Sequence, residues 1–116
     1  MNLNSENNLS WEDFTKVDMR IGTIISAEPF EKAKKPAYIL LVDFGDLGTR
    51  KTSAQITQHY KTEDLIGQQV VAVVNFPSKQ IANIMSECLI LGGIGQDNEV
   101  TLLQPERKVF NGMKVG

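Results

Sequence analysis

Histidine and cysteine each occur once in this sequence, as His59 and Cys88, and that scarcity narrows the chemistry open to it. A single cysteine excludes an internal disulfide and fits a reducing compartment. One Cys and one His provide no recognisable metal-ligand spacing, so no metal is expected. A nucleophilic Cys88–His59 pair would require the two to meet in space; a core cysteine and a structural or surface histidine are the readings their surroundings favour. No glycine-rich phosphate loop is present either. Gly92-Gly93-Ile94-Gly95 follows a strand pattern but no helical pattern follows it, so it is read as a turn. Neither an enzyme nor a bound cofactor is expected. No apolar stretch approaches the roughly 20 residues of a membrane span, so membrane insertion is not expected. The opening MNLNSENNLS lacks the positive charge and apolar run of a secretory signal, and a cytoplasmic location is the expectation. Neither sign of charge dominates: 12 Lys and Arg face 14 Asp and Glu, for a net charge of −2. Any binding to nucleic acid must therefore come from a local basic patch.

The length of 116 residues suits one domain. Residues 1–9 are Asn-rich with little to bury and are expected to be loose, leaving 10–116 as the folded unit. Ser10 reads as a helix N-cap with Asp13 three residues on, and Trp11 and Phe14 share one face of the short helix it starts, ending near Val17. From Met19 the period changes to two, and Gly22 inside that strand suggests a bulge or bend. A second strand follows Pro36, with Tyr38, Leu40, Val42 and Phe44 on one face. The turn Gly45 to Gly48 leads to a third strand over 49–54, paired back as a hairpin. A short helix from Thr62 is closed by Gly67. A fourth strand runs over 70–76, and 79–86 is irregular or weakly extended. A fifth strand covers 87–91, a short one 100–103, and Asn111-Gly112 suits a closing hairpin. Five core strands with a helix before the fourth match the OB-fold, a partly open five-stranded Greek-key barrel; a generic small β-barrel is the alternative on pattern alone.

OB barrels bind extended polymers on the face of strands two and three and the nearby loops. Polar residues there are the candidates for RNA contact: Arg50, Lys51, Ser53 and Gln55 on or just after the third strand, Asn75, Lys79, and Ser86 at the entry to the fifth. Asn75 stands out, because an amide in the apolar run VVNF must either stabilise a loop or face a ligand. Phe76, Ile81, Ile84 and Met85 cluster around the irregular segment. They suit an apolar surface that adapts to varied partners.

Several runs in order resemble a known family. FTKVDMRIGTI (14–24), SAQI (53–56), EDLIGQQVVAVVNFP (63–77) and MSECLILGG (85–93) are similar to the tRNA-binding domain of aminoacyl-tRNA synthetases and their accessory proteins. PAYILLVDFG (36–45), SAQIT, VVNFP and the tail LLQPERKVFNGMKVG (102–116) resemble its CsaA secretion-chaperone subgroup. The resemblance implies an OB barrel and a homodimer whose terminal extensions build the interface, with Trp11, Phe14, Leu102, Leu103, Val109 and Phe110 as the residues in those extensions. It implies unfolded or export-precursor polypeptides as ligands, for which Phe76, Ile81, Ile84 and Met85 are the apolar candidates and Asn75 the residue to hydrogen-bond the peptide backbone, with tRNA as the other ligand; a tRNA-binding accessory module without chaperone activity is the alternative. Met85-Ser86-Glu87 places a carboxylate where a phosphate would approach, which favours the chaperone-like version.

Overall fold

The computed structural model describes residues 7–116; the loose start expected for 1–9 falls for its first six residues outside the described residues. Helix α1 (Trp11–Thr15) is started by Ser10, whose hydroxyl accepts from the Asp13 N–H at 3.0 Å. It stops two residues short of Val17 because the chain must extend by Met19 to enter the sheet.

Strand β1 (Met19–Pro29) is the longest and lies at the centre of the sheet. Its first half pairs with β4 (Gln69–Val73) and its second half with β2 (Tyr38–Asp43). Serving two neighbours requires a change of direction, and the ladder slips between Ile24 and Ser26. Ile25 is the extra residue of this bulge, so Ile24 is fully buried while Ile25 is exposed. The bulge is thus three residues beyond Gly22. Gly22 has a different reason: a Cβ there would lie 2.7 Å from the Phe44 ring and 2.7 Å from Val42 Cγ1.

Strand β3 (Thr49–Ala54) returns against β2 through a 3-10 turn at Gly45–Leu47, as the hairpin reading expects. Helix α2 (Thr62–Leu65) places Leu65 under the barrel, with no exposed surface. The region after β4 departs most from expectation. β4 ends at Val73, and residues 79–86 are an ordered hairpin, β5 (Lys79–Ile81) with β6 (Ile84–Ser86). Ala82, at φ 49, opens its two-residue loop, a position where a sequence reading looks for glycine. β7 (Leu89–Ile90) is shorter than the fifth strand foreseen and pairs with β4. The run Gly92-Gly93-Ile94, expected as a turn, is strand β8 (Gly92–Ile94), paired with β9 (Val100–Leu102). A Cβ on Gly92 would meet Val100 Cγ1 at 2.5 Å, so glycine lets the two strands approach.

Asn111-Gly112 does make a turn, but the strand after it, β10 (Lys114–Val115), pairs across the molecule with β1. Gln69 holds the tail before that turn. Its buried amide donates to the Val109 carbonyl at 2.8 Å and accepts from the Val109 N–H at 3.0 Å. The sheet order β3-β2-β1-β4-β7 curls until β3 faces β7 again, giving a nearly closed five-stranded antiparallel barrel of OB type. Its core holds Ile24, Leu40, Val42, Phe44, Leu65 and Val70, none with exposed surface, and each contributes roughly 1.5–3 kcal/mol by burial.

Candidate functional site

β3 alternates as strands do, and the alternation divides the sequence candidates. Arg50, Thr52 and Ala54 point toward the barrel, while Lys51, Ser53 and Gln55 point outward. Arg50 is half-buried and donates to the Val74 carbonyl at 2.7 Å, tying β3 to the end of β4. Thr52 is buried; its hydroxyl donates to the Cys88 carbonyl at 2.8 Å and lies 3.0 Å from the Ser86 hydroxyl. Ser86 also accepts from the Ser53 N–H at 3.3 Å. The Glu87 N–H donates to the Lys51 carbonyl at 2.7 Å, and its carboxylate accepts from the Lys51 N–H at 2.9 Å. Among the proposed RNA contacts, then, Arg50 and Ser86 are engaged in closing the barrel. The Glu87 carboxylate is engaged there as well.

Asn75 has two internal partners. Its Oδ1 accepts from the Asp18 N–H at 2.9 Å and its Nδ2 donates to the Lys16 carbonyl at 2.6 Å. Both ends of the amide fasten the α1–β1 connection to the end of β4, which is the loop-stabilising arm of the choice its sequence context posed. The amide is exposed and keeps its second Nδ2–H, so the hydrogen bond to a peptide backbone expected from the sequence is compatible with these two.

Around the outer residues of β3 the surface is concave. One groove of about 360 Å³ is lined by Ser53, Gln55, Phe76, Pro77, Lys79, Ile81, Ser86, Cys88 and Leu89. Phe76 is 56% exposed on it. The structure thus brings Ser53, Gln55, Phe76, Lys79, Ile81 and Ser86 together. Ile84 is half-buried and Met85 is 48% exposed on the adjoining β6 strand. Two further grooves open from the same place and were not foreseen. One, of about 380 Å³, runs under the β1–β2 loop, where Lys32, Lys34 and Lys35 face Ser53, Gln55 and Gln80. The other, of about 500 Å³, lies between β3, β7 and the β8–β9 hairpin, where Ile56, Leu89, Ile94 and Val100 form an apolar lining. The lysines were visible in the sequence as EKAKK, but only the fold sets that loop beside β3.

The two candidate reactive residues are apart in role. Burial pushes the Cys88 thiol up to about 11, against smaller opposing effects of the Thr52 hydroxyl and the Arg50 charge, so it is a thiol at neutral pH. His59 pairs with Glu99 at 2.9 Å. Among the described residues no cluster of three or more His, Cys, Asp and Glu is placed to hold a metal, and no helix is long and apolar enough to cross a membrane.

A separate apolar patch lies on α1. Trp11 is 81% exposed and its ring stacks edge-on against Phe14 at 6.0 Å, with Leu9 beside them. In the tail Leu103 and Phe110 are exposed, and Val109 is half-buried. Leu102 is corrected: it is 8% exposed and packs in the barrel core, because β9 turns that side chain inward, so it has no surface to give a partner.

Residues 19–114 match the family model described as "Putative tRNA binding domain". The crystal structure of chaperone CsaA from Bacillus anthracis str. Ames is 51% identical, with 94% of this chain and 99% of that one covered at a TM-score of 0.90. The CsaA chaperone protein from Picrophilus torridus is 45% identical, with 94% and 100% covered at a TM-score of 0.87. The methionine–tRNA ligase of Methanococcoides burtonii is 36% identical over 104 residues, which are 90% of this chain. The chain spans only 15% of the length of that ligase.

Proposed function

We propose, on the premise that this chain belongs to the tRNA-binding-domain family and groups there with the CsaA chaperones, that it is a non-catalytic homodimer binding unfolded or export-precursor polypeptide. The observation that carries the reading is the groove beside β3. Phe76, Pro77, Ile81 and Leu89 give it an apolar wall, and Ser53, Gln55 and Ser86 give it polar groups. Phe76 is left 56% exposed in that groove; exposed apolar surface of this kind marks binding sites. An extended polypeptide matches this mixture, with alternate side chains entering the groove and its backbone bonded at the rim. The α1 patch of Leu9, Trp11 and Phe14, with Leu103 and Phe110, supplies apolar surface for a second copy. A two-fold pair would double the grooves and raise avidity for a long client.

The test is a titration of the protein with an unfolded precursor polypeptide and with bulk tRNA, each at low and moderate salt. The expected result is polypeptide binding that falls far less steeply with salt than tRNA binding would and is weakened at least tenfold by Phe76→Ser. Binding of tRNA alone, falling steeply with salt, would overturn it.

A second reading, tRNA binding on the same face, rests on a specific observation. Lys32, Lys34, Lys35, Lys51 and Lys79 form no ion pair with any carboxylate among the described residues. Unpaired cations near one face suit a phosphate backbone, and counterion release would make that binding salt-steep.

A further inference from the structure

Three grooves meet at Ser53 and Gln55, and they differ in chemistry along one direction. Both residues line all three grooves. The Gln55 amide and the Ser53 hydroxyl have no hydrogen-bond partner among the described residues, so polar groups are available where the grooves join. At one end stands the β1–β2 loop; its three lysines against Glu31 leave a local charge of +2. The middle groove keeps one cation, Lys79. The far groove has no Lys or Arg in its lining, and Ile94 is 70% exposed at its rim. Charge falls along this path, and the apolar lining is largest at its far end.

We infer that this face selects extended polypeptide segments with an acidic stretch at one end and an apolar stretch at the other, the acidic end over Lys32, Lys34 and Lys35 and the apolar end in the groove of Leu89 and Ile94. The inference rests on the polypeptide reading above and adds a rule for which clients bind. A nucleic acid carries the same charge on every nucleotide and would leave the cation-free groove unmatched. A uniformly apolar peptide would leave the lysines unmatched. At about 3.3 Å per residue, a segment of about ten residues is about 33 Å long, comparable with the 34 Å middle dimension of the molecule.

The experiment uses fluorescein-labelled decapeptides in which an apolar half of Leu and Phe is joined to a half of Asp and Glu, of Ser and Gln, or of Lys, in both orders. Binding is read by anisotropy at low and moderate salt. The acidic–apolar peptide is expected to bind at least tenfold tighter than the neutral–apolar one. The variant K32E/K34E/K35E is expected to erase that difference while still binding the neutral–apolar peptide. Ile94→Asp is expected to weaken both. All these positions are at the surface, and unchanged thermal melts will show that the variants fold. Equal binding of the acidic and neutral peptides, with Phe76→Ser still weakening both, would overturn the selection rule and leave the polypeptide reading standing. No peptide binding, with salt-steep binding of an oligouridylate, would overturn both.

Discussion

Strand β3 has two edges built by different means. Toward β2 it forms a continuous ladder of six residue pairs, from Tyr38 with Ala54 to Asp43 with Thr49. Toward the β6–β7 segment the only backbone–backbone hydrogen bond among the described residues is that from the Glu87 N–H to the Lys51 carbonyl; the rest of the seam is closed by the side chains of Thr52, Ser86 and Glu87. The ladder edge resists change because its bonds are regular and its inner face packs Leu40 and Val42. The seam edge joins strands that diverge, and two of the grooves open along it. The difference teaches where a barrel of this kind can hold a polymer. The ligand surface proposed above lies where pairing between strands is incomplete, and side-chain hydrogen bonds bridge that opening.

The largest effect expected is on the ladder side. Phe44→Ala removes a fully buried ring under the β2–β3 hairpin and should cost about 3–5 kcal/mol, read as a shift in urea midpoint. Thr52→Val tests the seam. It keeps the shape of a buried side chain but leaves the Cys88 carbonyl without its donor, for a loss of about 1–3 kcal/mol. Amide exchange in Thr52→Val should rise at Lys51 and Ser53 more than at Leu40 and Val42; uniform acceleration would mean that the two edges do not differ. Cys88 gives a test of similar size by pH. Its folded value is raised to about 11 from 9.0, so its contribution is fully present below pH 9 and is lost as pH rises through 11, up to about 2–3 kcal/mol. Wild-type stability should fall over that window more than that of Cys88→Ala. The smallest effect belongs to the rim: Lys34→Ala and Lys35→Ala should change stability by no more than about 0.5 kcal/mol while altering ligand binding.

Much of the ladder side was legible in the sequence. Tyr38, Leu40, Val42 and Phe44 alternate cleanly, Gly45 and Gly48 mark the turn, and 49–54 was read with its true limits. The seam side was not, for physical reasons. The β5–β6 hairpin has three-residue strands and an Ala82-Asn83 loop, so neither strand length nor turn glycine announced it. Gly92 and Gly93 resembled a turn because glycine also serves close strand approach, which depends on Val100 eight residues away. Asn75 posed the right question, and its answer lies in Lys16 and Asp18, far along the chain. Leu102 lay in a tail that the family resemblance assigned to an interface, but its place in β9 puts it in the core. Two of the grooves were not foreseen, since Ser53, Leu89 and Lys34 come together only through the barrel.

The central claim, that polypeptide binds along the open edge of β3, is tested most directly by amide chemical-shift mapping of the labelled protein with an unfolded precursor polypeptide. The account predicts shifts concentrated at Ser53, Gln55, Ile81 and Leu89, with the β2 amides of Leu40 and Val42 unmoved. Shifts confined to α1 around Trp11 and Phe14, with the β3 edge silent, would contradict it.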